Sequence, residues 1–154
     1  IQNVSVSNRR GISGEKVQEV MAVSRELKQL AKRLKIPVIG LAQTKRDVDT
    51  RAGDKRPTTA DVMWASQIEQ DADVMIGLYR HAKYFPSFGT FNDVKNISEI
   101  IIQKNRHGPV DTCYAVFLPN KMDFVDADDS GISQYFAELA TPPENQRKSA
   151  AKDW

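Results

Sequence analysis

Lys104 and Arg106 stand two residues apart in Lys104-Asn105-Arg106-His107-Gly108-Pro109, directly after the apolar, β-branched run Ile100-Ile101-Ile102. A cation at the end of a rigid strand is held at a defined point, and the planar fork of an arginine matches two oxygens of a phosphate. Such a pair can reach a phosphate on a neighbouring subunit and stabilise charge as a phosphoryl group leaves, in the manner of an arginine finger. A basic β-turn explains the same residues without function, and His107 alone reads as a surface histidine. Gln43 is the second candidate. It ends the apolar run Ile36-Pro37-Val38-Ile39-Gly40-Leu41-Ala42, and ligands of open α/β sheets gather at the carboxyl ends of strands. An amide there can contact a terminal phosphate or a water and move the next loop when the phosphate departs; a glutamine that merely ends a strand is the alternative.

The third candidate is the loop that follows, residues 44–59, in which Lys45, Arg46, Arg51, Lys55 and Arg56 outnumber Asp47, Asp49 and Asp54. Mobile cations grip a phosphate backbone without reading its sequence. A solvated charged loop has the same composition, and the position directly after Gln43 favours the nucleic-acid reading. Two other patterns are set aside. Gly11-Ile12-Ser13-Gly14-Glu15-Lys16 lacks the G-x-x-x-x-G-K-[ST] spacing of a phosphate loop. Asp126, Asp128 and Asp129 fall outside the EF-hand register, so no metal ligands are assigned.

The elements that must position these residues follow from periodicity. Over 15–34, Val17, Val20, Met21, Ser24, Leu27, Leu30, Ala31 and Leu34 recur at three- and four-residue steps opposite a charged face, which predicts an amphipathic helix. The continuous apolar run at 36–42 predicts a buried parallel strand. A short helical stretch near 60–70 precedes a second buried strand within 72–79, and further strands are expected at 98–104 and 112–118. The aromatic- and turn-rich segment 81–96 connects two of them. Helix, strand, helix, strand and then closely spaced strands predict an α/β sheet with a parallel centre and an antiparallel edge. From Ala127 the composition changes. Beyond a possible short helix at 132–139 come Pro142-Pro143 and a charged end, so 127–154 reads as an acidic, flexible tail on a domain of 1–126.

Composition sets the outer limits. A chain of 154 residues, 40% hydrophobic, supplies one core of ordinary size. The single Cys113 makes no internal disulfide, and with only His81 and His107 no Cys/His zinc set can be assembled. No run approaches a membrane span, and the opening Ile1-Gln2-Asn3-Val4 has no signal-peptide pattern, so a reducing, cytoplasmic setting without membrane is expected. The net charge of +2 divides unevenly: residues 121–154 carry −3 and residues 1–120 carry +5. A basic body permits nucleic-acid binding without requiring it. The start on Ile is read as that of a piece from a longer chain.

Four blocks in order carry a resemblance: KVQEVMAVSRELKQLAKRLKIPVIGLAQTKRDVDTR, DKRPTTADV, IEQDADVMIGLYR and EIIIQKNRHGP. Together they resemble the second half of the RecA-like motor domain of DnaB-type replicative helicases over about residues 1–118. The opening Ile1-Gln2 is similar to the residues just after the Walker B aspartate. The resemblance implies a RecA-like P-loop ATPase core, present in part, from an ATP-dependent helicase that forms a homo-hexameric ring and unwinds duplex DNA at the replication fork. It implies ATP and Mg²⁺ as cofactors, single-stranded DNA in the ring's centre, and a primase and a helicase loader as partners. Gln43 would sense the γ-phosphate and report it to the DNA loops, and Lys104 and Arg106 would act on a neighbour's ATP; the loop cations Lys45, Arg46, Arg51, Lys55 and Arg56 keep the DNA-binding reading given above. The chain departs from the family where R-E-S-G-S is usual and Met63-Trp64-Ala65-Ser66-Gln67 stands instead, so the family's DNA contacts there do not carry over; Trp64 could stack on a base of single-stranded DNA in their place, with core or surface packing as the alternative. The chain also contains no Walker A loop, no Walker B aspartate and no catalytic glutamate, so by itself it is expected not to hydrolyse ATP. A RecA-like recombinase or repair ATPase, or a non-catalytic DNA-binding ring subunit, remain the alternatives.

Overall fold

Helix α1 runs from Ser13 to Leu34 in the computed structural model, which describes residues 13–62, 65–89 and 92–140. Its stop is written in the chain. Lys35 takes the left-handed conformation (φ 56°), the amide of Ile36 donates back to the Ala31 carbonyl at 3.2 Å, and Pro37 cannot extend the helix. Lys32 and Arg33 lie in the last turn, where positive charge complements the helix dipole.

The remaining elements in order are α2 (Asp47–Thr50), a 3-10 turn (Thr59–Asp61), α3 (Ala65–Asp71), β1 (Val74–Tyr79), α4 (His81–Tyr84) and α5 (Asn92–Lys95). They are followed by β2 (Ile97–Asn105), β3 (Thr112–Leu118), β4 (Asp123–Asp126) and α6 (Asp129–Leu139). The strands form one sheet in the order β1-β2-β3-β4. The antiparallel edge expected from sequence is present: Ala115 pairs with Asp126 and Leu118 with Asp123. Bonds from Ile102 N to Asp111 O and from Phe117 N to Asn96 O run in opposite chain directions, so β2 and β3 are antiparallel too.

One expected strand is not formed among the described residues. No strand is assigned over residues 36–42, and Ile39 and Leu41 are 89% and 82% exposed. A parallel strand is buried by layers on both faces, and the described residues do not supply those layers. For the same reason β1 is buried on one face only, with Met75, Gly77 and Tyr79 inside and Val74, Ile76 and Leu78 outside.

The chain divides into two units, residues 1–77 with 101–111, and residues 78–100 with 112–154. In the first, Val20 of α1, Ile68 of α3 and Met75 of β1 form the core, flanked by Val62 and Ala72. In the second, Val94, Ile97 and Tyr135 form the core, with Phe88, Tyr114, Val116 and Leu139 packed against them. Tyr135 belongs to α6 and is fully buried. The compositional change at Ala127 therefore does not end the packed structure: α6 begins earlier than the helix expected at 132–139, and it carries part of a core. Asp128, read from sequence as a solvated acid, is its N-cap and accepts from Gly131 N at 2.6 Å. Residues 141–154 lie outside the described residues.

The Tyr135 hydroxyl donates to Oε1 of the buried Glu99 at 2.5 Å. Tyr135→Phe removes this donor and leaves the ring in place. The unfolding free energy of the second unit is expected to fall by about 1–3 kcal/mol, measured as a lower urea midpoint at constant slope; an unchanged midpoint would show that the bond contributes nothing net.

Candidate functional site

At the end of β2 successive side chains point to opposite faces, Lys104 to one side and Gln103 to the other, and Arg106 follows in the turn just after the strand. On the first side lies the C-terminal end of α3. The last carbonyls of a helix have no intrahelical partner and carry the negative end of its dipole. Lys104 Nζ donates to the Glu69 carbonyl, and Arg106 Nη2 donates to the Gln70 carbonyl at 2.8 Å. Both sequence-predicted cations are thus brought together at one helix end. Lys104 borders an open depression of about 390 Å³, which Ser66, Glu69 and Gln70 also line.

Asp73, in the turn between α3 and β1, fixes the same spot. Its carbonyl accepts from Arg106 N at 2.8 Å, and its Oδ1 lies 3.6 Å from Arg106 Nε. Its Oδ2 accepts a hydrogen bond from Lys28 Nζ of α1. The Lys28 hydrogen bond, helped by the charges of Lys28, Arg106 and His107, holds the Asp73 carboxyl below the usual aspartate range. Neither Asp73 nor Lys28 was singled out from sequence. Their pairing spans 45 residues, and no local periodicity reports such a contact. His107 is exposed, as expected.

On the other side of β2, Gln103 Nε2 donates to the Pro57 carbonyl at 2.5 Å. A side chain at Gly77 would meet this amide, so the glycine leaves room for it. Gln103 thereby ties the strand that carries Lys104 to the basic loop.

That loop is not the open cationic strand of chain the composition suggests. A bridge between Thr44 and Val62 closes its ends, and Val48 is buried within it. Lys45 donates through its amide to the Asp61 carbonyl at 2.7 Å and through Nζ to the Ala60 carbonyl at 2.9 Å. Arg51 Nη2 pairs with Asp61 Oδ1 at 2.5 Å, Lys55 Nζ donates to the Asp49 carbonyl, and Arg56 pairs with Asp54 at 3.3 Å. Thr58 donates to Asp61 Oδ2 through both its amide and its hydroxyl at 2.8 Å. Arg46 is exposed, and no side-chain bond from it is seen among the described residues. Gln43 is exposed immediately before the closing bridge, at the mouth of the loop. Trp64 and Met63 lie outside the described residues.

These elements form part of a RecA-like ATPase core. The chain matches the ATPase domain of G40P with a TM-score of 0.72 and 34% identity, over 83% of this chain and 42% of that one. It matches a DnaB-like replicative helicase, from a structure describing that helicase and its interactions with primase, with a TM-score of 0.68 and 36% identity over 79% and 28% of the two chains. Residues 1–126 fit the family model of the DnaB-like helicase C-terminal domain, and the chain belongs to that family. Among curated relatives, it is 42% identical to the replicative DNA helicase DnaB of Geobacillus stearothermophilus and 44% identical to the replicative DNA helicase DnaC of Bacillus subtilis (strain 168). Each match covers 82% of this chain and 26% of the relative, so the chain spans about a quarter of the length of either. Helix α6 lies beyond the residues that the family model matches.

Burial raises the Asp61 pKa, but the bonds from Arg51 and Thr58 outweigh it and leave the group below its ordinary value of 3.8. A depressed carboxylate contributes stability that is present above the unfolded pKa and lost as pH falls through the folded one. Protection of the Lys45 and Thr58 amides against hydrogen exchange, corrected for intrinsic rate, is therefore expected to hold above pH 3.8 and decline below it. Asp61→Asn should lower that protection at neutral pH and flatten its acid dependence. A wild-type loop equally protected on both sides of that value would contradict the assignment.

Proposed function

We propose that this chain is part of the motor of an ATP-driven replicative DNA helicase, a cytoplasmic, ring-forming homo-hexamer that moves on single-stranded DNA and unwinds duplex at the fork. The observation that carries the reading is the convergence of Lys104 and Arg106 on one rigid helix end, within a member of the DnaB-like helicase family. The replicative-helicase relatives favour unwinding over strand exchange and over a ring subunit without catalysis.

In this reading Lys104 and Arg106 face the γ-phosphate of ATP bound by the neighbouring subunit. Bound ATP supplies the phosphoryl group whose transfer to water drives the motor. The guanidinium of Arg106, about half exposed, presents a planar fork that stabilises charge spread over the phosphoryl oxygens. Lys104 adds a compact charge beside it. Gln43, at the mouth of the basic loop, reports the state of the phosphate to that loop. The described residues fit the trans side of a nucleotide site, two cations and an amide. They do not supply a phosphate cradle or an assigned Mg²⁺ ligand, so both are proposed to come from the rest of the protein, as are the contacts to a primase and a loader.

Arg46 is proposed as the loop's foremost DNA contact; the reading is supported by the neighbouring cations Lys45, Arg51, Lys55 and Arg56 bonding within the loop. Trp64 remains the proposed stacking residue.

In the full-length protein, Arg106→Ala is expected to lower DNA-stimulated ATP turnover by about 10³-fold or more, with nucleotide binding nearly unchanged. Undiminished turnover would remove Arg106 from this role. Arg46→Ala should weaken single-stranded DNA binding and reduce the slope of log affinity against log salt by about 0.7, the contribution of one neutralised phosphate. Lys45→Ala should also loosen the loop, read as lost amide protection, because Lys45 bonds to Ala60. An unaltered salt slope for Arg46→Ala would leave the loop as solvated surface.

A further inference from the structure

We propose that Asp73 is a positioning residue for Arg106, anchored in turn by Lys28 of α1. The inference rests on the trans-acting role proposed above for Arg106 and assigns the device that aims it.

An arginine side chain on a turn has considerable rotamer freedom, and a group that must meet a phosphate on another subunit acts well only if that freedom is removed beforehand. At residue 106 one backbone contact fixes the main chain and two side-chain contacts restrict the rotamer. The backbone amide is fixed to the Asp73 carbonyl at 2.8 Å, Nη2 is fixed to the Gln70 carbonyl at 2.8 Å, and Nε faces Asp73 Oδ1 at 3.6 Å. The last separation is an ion pair longer than a hydrogen bond. The carboxylate therefore orients the guanidinium without consuming its Nε–H donor. A guanidinium has five N–H donors, and Nη1 with the remaining Nη2 hydrogen stays available to a ligand.

A carboxylate beside a guanidinium also competes with phosphate for it. The competition is moderated here because Asp73 shares its charge with Lys28, whose ammonium takes Oδ2. Lys28 also fixes the carboxylate's direction, since α1 is tied into the core through Val20, Ile68 and Met75. The chain of support runs from α1 through Lys28 and Asp73 to Arg106, all within the first unit. Lys104 reaches the adjacent Glu69 carbonyl without Asp73, so the device acts on the arginine alone.

The test uses the full-length protein and steady-state ATP turnover with single-stranded DNA. Asp73→Asn keeps the size of the side chain and an acceptor oxygen but removes the charge. It is expected to lower kcat by about 10- to 100-fold, the scale of a misplaced catalytic group, with KM and the unfolding midpoint unchanged. Asp73→Glu should restore part of the loss. Lys28→Met should lower kcat less, and its effect should vanish in the Asp73→Asn background. On an Arg106→Ala background, Asp73→Asn should reduce the residual turnover by less than about twofold, since residues acting through one group are not additive. If Arg106→Ala abolishes turnover while Asp73→Asn leaves kcat intact, the positioning role is overturned and the arginine's role stands. If Asp73→Asn lowers residual turnover equally in both backgrounds, Asp73 acts elsewhere and the proposal falls. If Arg106→Ala keeps full turnover, both roles fail.

Discussion

A seven-residue helix cannot satisfy the carbonyls of its own last turn, and in this protein the donors that meet those of α3 come from the end of β2 and the turn after it. Lys104 and Arg106 reach Glu69 and Gln70 because the end of β2 carries the first and the turn just after it carries the second. That requirement links elements far apart in sequence. It sets the end of β2 against α3, and with it the turn at Asp73, which Lys28 then joins to α1. The same two cations that satisfy the backbone are the groups best suited to a phosphate. Structural need and proposed chemistry therefore draw on one pair of side chains.

The opposite face of β2 carries a second link. Gln103 holds Pro57, and Gly77 leaves the space for its amide. The end of β2 and the turn after it thus touch the basic loop through residue 103 and the helix end through residues 104 and 106. The loop keeps its shape through Asp61, which gathers Arg51 and Thr58. Most of its positive charge is spent on internal order, which narrows the surface available to a polyanion to fewer groups than a count of lysines and arginines suggests.

Features set by local pattern were legible in the sequence. The heptad-like spacing of α1, the β-branched run of β2 and the strand at 112–118 appear where periodicity places them, and the candidate cations Lys104 and Arg106 do share one site. The run at 36–42 was misread because apolar continuity reports a demand for burial, not its fulfilment; Ile39 and Leu41 stay exposed among the described residues. The four-residue β4, Asp123–Asp126, has no counterpart among the expected strands, since so short an alternation carries little signal. Helix α6 reads mostly as tail in sequence because its polar surface and the prolines after it mask Tyr135, whose burial depends on Val94 and Ile97 far upstream. Asp73, Lys28 and Gln103 were invisible for the same reason. Each acts through a partner more than 30 residues away, and a single sequence does not record such pairings.

The central claim, that Arg106 acts on a neighbouring subunit's nucleotide, is tested most directly by mixing two inactive forms of the full-length protein. One carries Arg106→Ala; the other retains Arg106 but has its phosphate-loop lysine substituted. Mixed rings place an intact phosphate site against an intact arginine only when the arginine works across the interface. Recovery of DNA-stimulated ATP turnover, greatest at intermediate mixing ratios, is the expected result. Rings that assemble in mixed form yet show no more turnover than the two inactive proteins measured separately would contradict it.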